Sequence, residues 1–243
     1  MIRTLARWLI RIVVGIVLFS IMLVLAIRWV NPPLTALMLE RKIEAWQAGE
    51  PLELKRTWQP YRLLSDDLKM AVIASEDQKF ADHLGFDVDS IRKAFAHNEQ
   101  GGSLRGASTI SQQVAKNLFL WSDRSWARKA LEAWFTLWIE LLWPKERILE
   151  VYLNSVEWGN GIFGADAAAM HHFNKSARFI SAQQAALMAA VLPNPRVWSP
   201  AKPTSYLNNR ATWIRQQIRQ LGGSHYLKKL HYEAPHWWPE ILR

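Results

Sequence analysis

Gly106-Ala107-Ser108-Thr109-Ile110-Ser111-Gln112-Gln113-Val114-Ala115-Lys116-Asn117 is the stretch of this 243-residue chain whose reading decides the rest. Thr109, Gln112, Gln113 and Lys116 recur at i, i+3, i+4 and i+7, the spacing of one helix face, while Ile110, Val114 and Leu118 fall on the far side. A solvated helix face is ordinarily built from Glu, Lys and Arg. A stripe of Thr, two Gln and one Lys offers neutral donors around a cation, which suits a polar ligand carrying negative charge.

Upstream runs Ser75-Glu76-Asp77-Gln78-Lys79-Phe80-Ala81-Asp82-His83-Leu84-Gly85. The apolar Ala71-Val72-Ile73-Ala74 leads into Glu76, so this carboxylate emerges from a buried helix, where partial desolvation raises its proton affinity toward that of a general base. The plain alternative for a Glu-Asp pair is a surface ion pair. Phe80 and His83 shape the adjoining loop, or serve only as a buried ring and a hydrogen-bonded imidazole. Downstream, Arg128 and Glu132 stand at i, i+4 on a helix whose polar sector adds Lys129, Thr136 and Glu140. An ordinary helix salt bridge worth a few tenths of a kcal/mol explains such a pair equally well.

The pattern Glu-Asp-x-x-Phe-x-x-His-x-Gly followed by Gly-Ala-Ser-Thr-Ile-x-Gln-Gln-x-x-Lys-Asn resembles the peptidoglycan glycosyltransferases, the domain also found in class A penicillin-binding proteins. The resemblance continues through Arg128-Lys129-Ala130-Leu131-Glu132 and Arg147-Ile148-Leu149-Glu150-Val151-Tyr152-Leu153-Asn154, and ends near Leu192-Pro193-Asn194-Pro195. It implies a mainly α, lysozyme-like glycosyltransferase domain of the monofunctional biosynthetic form, preceded by one N-terminal transmembrane helix. It implies Glu76 as catalytic base and Glu132 as the second catalytic acid, aiding pyrophosphate departure directly or through the cations beside it. Substrate binding is carried to Asp77, Phe80, His83, Ser108, Thr109, Gln112, Gln113, Lys116, Asn117, Arg128 and Lys129. The implied partners are lipid II, the growing glycan chain, membrane lipids, and proteins of cell-wall synthesis or division. Gln184 departs from the pattern, standing where the family has Glu before its Ala-Ala run, and is left out of the site.

Thirty Lys and Arg against 21 Asp and Glu leave a net charge of +9, which favours an anionic partner without choosing between nucleic acid and acidic lipid. The N-terminus chooses the membrane. Ile12 to Ile27 carries no charge and spans roughly 24 Å as helix, and Arg3, Arg7 and Arg11 precede it, placing the N-terminus in the cytoplasm and the remainder on the outer face of the bacterial inner membrane. A cleaved signal peptide is the alternative, but Ala26-Ile27-Arg28-Trp29 has no A-x-A site. No cysteine is present, so disulfides and thiolate metal sites are excluded. No metal site is expected at His171 and His172. No cofactor is required, although carboxylates and water are compatible with Mg2+ at the substrate pyrophosphate. No Gly-rich phosphate loop follows a strand, and no nucleic-acid partner is expected.

The expected organisation is a basic tail (1-11), an anchor (12-30), a membrane-proximal linker and helix (31-60), the catalytic domain (61-203), and a basic C-terminal helix and tail (204-243). Helices are expected at 34-48, from Ser65 through Glu76, and at 88-98, followed by a mobile loop at Gly101-Gly102. Further helices are expected at 125-142, 145-154, 162-172, 181-191 and 205-221, with an extended piece near 52-54 and a tight turn at Trp158-Gly159-Asn160-Gly161. Glu146, Glu150 and Asn154 read as cleft-bracing residues. Leu131, Trp134, Trp138, Leu141 and Leu142 form an apolar helix face. Fourteen tryptophans in the chain favour placing that face at the membrane interface, against the alternative of pure core. Two rival functions share these residues: a lysozyme-like peptidoglycan hydrolase and a noncatalytic membrane scaffold. Cations at a leaving group favour transfer from a pyrophosphate, because a sugar alcohol leaves by protonation.

Overall fold

The computed structural model describes residues 2–99, 108–123 and 125–231, so the Gly101-Gly102 loop and the tail beyond 231 lie outside the described residues. Ten α-helices appear among them: α1 (Ile2–Ile27), α2 (Ala36–Gln47), α3 (Asp66–Glu76), α4 (Val88–Glu99), α5 (Ile110–Phe119), α6 (Trp126–Leu142), α7 (Lys145–Ser155), α8 (Ala165–Phe173), α9 (Ala182–Val191) and α10 (Ser205–Gln220). Most starts are written in the sequence as side-chain caps. Thr35, Ser65, Thr109, Ser125, Ser181 and Thr204 each accept a bond from a backbone N–H of the first turn. At α9 the cap is reciprocal, because Ser181 N donates back to Gln184 Oε1. Gln fills this capping-box position as well as Glu does, which gives the Gln184 departure a structural reason.

One core joins α3, α5, α7, α9 and α10. Leu68, Ile73, Ile110, Leu149, Met188 and Ile214 are all fully enclosed in it. Helix α10, which opens the C-terminal segment from 204, contributes Leu207, Ala211 and Ile214 to this core. A small sheet was not expected from the sequence. Its strands are β1 (Lys55–Arg56), β2 (Glu157–Gly159) and β3 (Ile162–Phe163), in the order β1-β3-β2, with β1 parallel and β2 antiparallel to β3. The extended piece therefore falls just after 52-54, and helix α8 starts after β3 instead of at 162. Asn160 and Gly161 form the hairpin turn. Gly161 has φ +72°, and a Cβ there would stand 3.0 Å from the carbonyl oxygen of Glu53.

The apolar α1 is docked on the rest of the protein. Trp134 Nε1 donates to Ser20 Oγ (3.1 Å) and Trp143 Nε1 to Val24 O (2.8 Å). Arg147 binds the free carbonyls at the helix end, Ile27 O (2.8 Å) and Val30 O (3.1 Å), as well as Asn31 Oδ1 (2.9 Å), and Arg28 donates to Leu142 O. The tryptophan face of α6 is thus neither pure core nor a free surface. Trp134, Trp138 and Leu142 are half-buried, while Leu131 and Leu141 stay exposed.

Candidate active site

Glu76 ends α3 beside a cavity of ≈ 330 Å³ lined by Ser75, Glu76, Asp77, Lys79, Asp87, Lys93, Ser108 and Thr109. Gln113 Nε2 donates to Glu76 Oε2 (3.1 Å), and Ser75 Oγ donates to Oε1 (3.0 Å). Part of the Glu76 surface opens to the cavity, yet the surrounding protein is dense. Burial pushes its carboxyl up, opposed by the bonds from Gln113 and Ser75 and by the charge of Arg210. A carboxylate with raised proton affinity, facing an open cavity, can take a proton from a hydroxyl placed there.

The residues following Glu76 brace the loop. His83 Nδ1 accepts from Gly85 N (3.1 Å), so Nε2 carries the proton and donates to Asp77 (2.9 Å). Asp77 Oδ2 accepts in turn from Ile110 N (3.0 Å), placing a carboxylate at the N-terminal dipole of α5. Thr109 Oγ1 donates to Gly85 O (2.6 Å). A Cβ on Gly85, at φ +83°, would lie 2.6 Å from Thr136 Cγ2, so only glycine fits. Phe80 is fully buried, with Lys145 Nζ 4.6 Å from its ring centroid. These contacts give Asp77, Phe80, His83, Thr109 and Gln112 partners within the protein, and Asp77 and Thr109 also line the cavity. Thr109 and Gln112 cap each other's backbone at the start of α5, and Asp77 and His83 hold that start against the Glu76 loop. Asn117 is buried on the same helix, while Ser108 is exposed at the cavity rim.

One turn along α5 from Gln113, a second cluster begins. Glu132 is buried, with Arg128 Nη1 2.5 Å from Oε2 and Lys129 Nζ on Oε1. Arg128 Nε has no partner among the described residues. Lys116 is half-buried and has neither an ion pair nor a hydrogen bond from its ammonium among them. Burial lowers its pKa, and the nearby charge of Glu132 opposes this. Beside Arg128 and Lys129 opens a cavity of ≈ 390 Å³ that also touches Ser125 and Trp126. Helix α5 therefore carries one amide to the carboxylate at the first cavity and one ammonium to the cations near the second. That arrangement can deprotonate an acceptor at one place and receive an anionic leaving group at another.

The bracing role of α7 is visible directly. Glu150 accepts from Trp58 Nε1 (3.2 Å) and Tyr61 N (2.9 Å), and Asn154 exchanges bonds with the backbone of Gln59. Sequence reasoning missed Arg210 on α10, and it placed Glu140 in the polar sector of α6 without its partners. Arg210 brings positive charge toward Glu76, and Glu140 accepts from Lys145 (2.8 Å) and Ser111. The Arg210 and Ser111 contacts join distant segments, and no local spacing announces them.

Comparison with known proteins places these features in one family. A family model described as Transglycosylase matches residues 43–219. The chain is 67% identical over 242 residues to a biosynthetic peptidoglycan transglycosylase of Stutzerimonas stutzeri (strain A1501), covering 100% of both. It is 66% identical over 242 residues to the protein of that name in Ectopseudomonas mendocina (strain ymp), again over 100% of both. A third protein so named, from Pseudomonas syringae pv. syringae (strain B728a), is 62% identical over 231 residues, 95% of this chain and 98% of the relative.

Proposed function

The chain belongs to the transglycosylase family, and from that premise we propose that its cleft polymerises a lipid-linked disaccharide-pentapeptide, lipid II, into β-1,4 glycan strands. It is a peptidoglycan glycosyltransferase of cell-wall synthesis. In the proposed step Glu76 removes the proton from the acceptor sugar hydroxyl. The freed oxygen attacks the donor anomeric carbon from the face opposite the leaving group, inverting it, and the bond to the pyrophosphate oxygen breaks. Charge then accumulates on undecaprenyl pyrophosphate, where Lys116, Arg128 and Lys129 stabilise it. Glu132 acts through the two cations it grips. Both Glu132 oxygens are engaged by Arg128 and Lys129, so Glu132 would not be free to hold a Mg2+ ion arriving with the pyrophosphate.

The observation that carries this reading is that α5 joins a hydrogen-bonded, half-buried carboxylate at one point and, one turn on, an ammonium that lacks a fixed acid among the described residues. The helix α1 supports a single-pass anchor; the proposed topology has its basic N-terminus in the cytoplasm and the catalytic body on the outer face of the inner membrane. Purified protein incubated with the lipid-linked precursor is expected to give polymer resolvable on a gel, and Glu76→Gln to give none. Efficient polymer formation by a folded Glu76→Gln protein would overturn the base assignment.

A further inference from the structure

Tyr152, on α7, is fully buried, and its hydroxyl lies 3.1 Å from Gln113 Oε1. On the other side of that amide, Gln113 Nε2 lies 3.1 Å from Glu76 Oε2. A side-chain amide has nearly the same shape in both orientations, so a partner must decide which end faces the carboxylate. The phenol makes that choice. Gln113 Oε1 is the acceptor available to its proton among the described residues, and flipping the amide would set carbonyl against carboxylate while stranding the phenolic proton in the core.

We propose that Tyr152 is a positioning residue for glycosyl transfer: its hydroxyl locks the Gln113 amide so that the NH2 donates to Glu76 and aims that carboxylate into the cleft. The inference rests on Glu76 being the base. Other groups also face Glu76. Ser75 donates from its own helix, Arg210 approaches from α10 with Nη2 3.5 Å from Ser75 O, and Asp77, Lys79, Asp87 and Lys93 line the same cavity. Of the direct donors to the Glu76 carboxylate, Gln113 is the one whose orientation depends on Tyr152.

The sign of the effect follows from the chemistry. Gln113 donates to the ionised form of Glu76 and so opposes the upward push of burial. Without the lock the carboxylate keeps its proton to higher pH. Tyr152→Phe retains the buried ring and removes only the hydroxyl. In the full-length protein with lipid-linked precursor, it is expected to move the acid limb of the kcat/KM profile upward by about one pH unit, with roughly tenfold less activity along that limb. Gln113→Ala should move it similarly, and the double variant no further than Gln113→Ala alone, because both changes remove one interaction.

A merely structural tyrosine would lower the melting temperature and depress turnover at every pH while leaving the limb in place. That result, or additive shifts in the double variant, would overturn the lock. Glu76→Gln in the same assay separates the two ideas. If it remains active, the base assignment fails; if it is inactive while the Tyr152→Phe limb coincides with wild type, only the lock fails.

Discussion

At the scale of single residues, the site sets stability against function. Glu76 has a folded pKa raised by burial, so its contribution to stability is complete below the unfolded carboxylate value of about 4.3 and is lost as pH rises through the folded value. At neutral pH the ionised side chain therefore strains the fold. Glu76→Gln should raise the melting temperature at pH 7 by on the order of 2 to 4 °C, with the gap closing near pH 4, even as polymerisation stops. Thermal melts at both pH values check this, and a lower melting temperature at pH 7 would contradict it. The cations proposed to receive the leaving group carry a separate prediction. Lys116→Ala should lower kcat together with kcat/KM, since an ammonium without a fixed acid among the described residues does most for the charge that develops late. A rise in KM at constant kcat would instead mark Lys116 as a ground-state binder.

At the scale of elements, helix positions were readable in the sequence, and bonds between distant segments were not. Ser65 and the Asp66-Asp67 pair announce α3, and its end at Glu76 follows from the apolar run before it. The stripe Thr109, Gln112, Gln113, Lys116 was legible as a helix but not in its purpose. A capping box and a ligand-binding face share the same i, i+3 spacing, and only the fold shows that Thr109 and Gln112 bond each other's backbone while Gln113 reaches Glu76. Strands of two or three residues have no period to read, so the sheet escaped notice. The docking of α1 onto α6 and α7 also escaped, because it depends on Arg147 reaching carbonyls 120 positions away. Arg147→Ala should free that junction. Losing about 2 kcal/mol of local stability corresponds to roughly 30-fold faster amide exchange at residues 26–31, with the α7 core amides unchanged. Unaltered exchange at those residues would show that the packing of Trp134 and Trp143 suffices.

At the scale of the whole molecule, the docking of α1 sets how the body would meet the bilayer in the proposed topology. Ser20 lies seven residues before the end of α1, about 10 Å along the helix, so the Trp134 contact is set well inside the apolar span. The exposed Leu137 and Leu141 of α6, 44% and 48% accessible, follow α6 toward the same end of the anchor, where lipid can cover them. In the proposed topology a junction held by these bonds keeps the cleft near the membrane, suited to a substrate whose polyprenyl tail remains in it. Orientation can be read without background labelling, because the chain has no cysteine. A single cysteine in place of Glu50, exposed just beyond α2, should react with a membrane-impermeant maleimide on intact spheroplasts. One in place of Thr4, exposed on the basic side of α1, should react only after permeabilisation. Labelling of Thr4→Cys but not Glu50→Cys on intact cells would reverse the topology and leave the cleft without access to an outward-facing lipid-linked sugar.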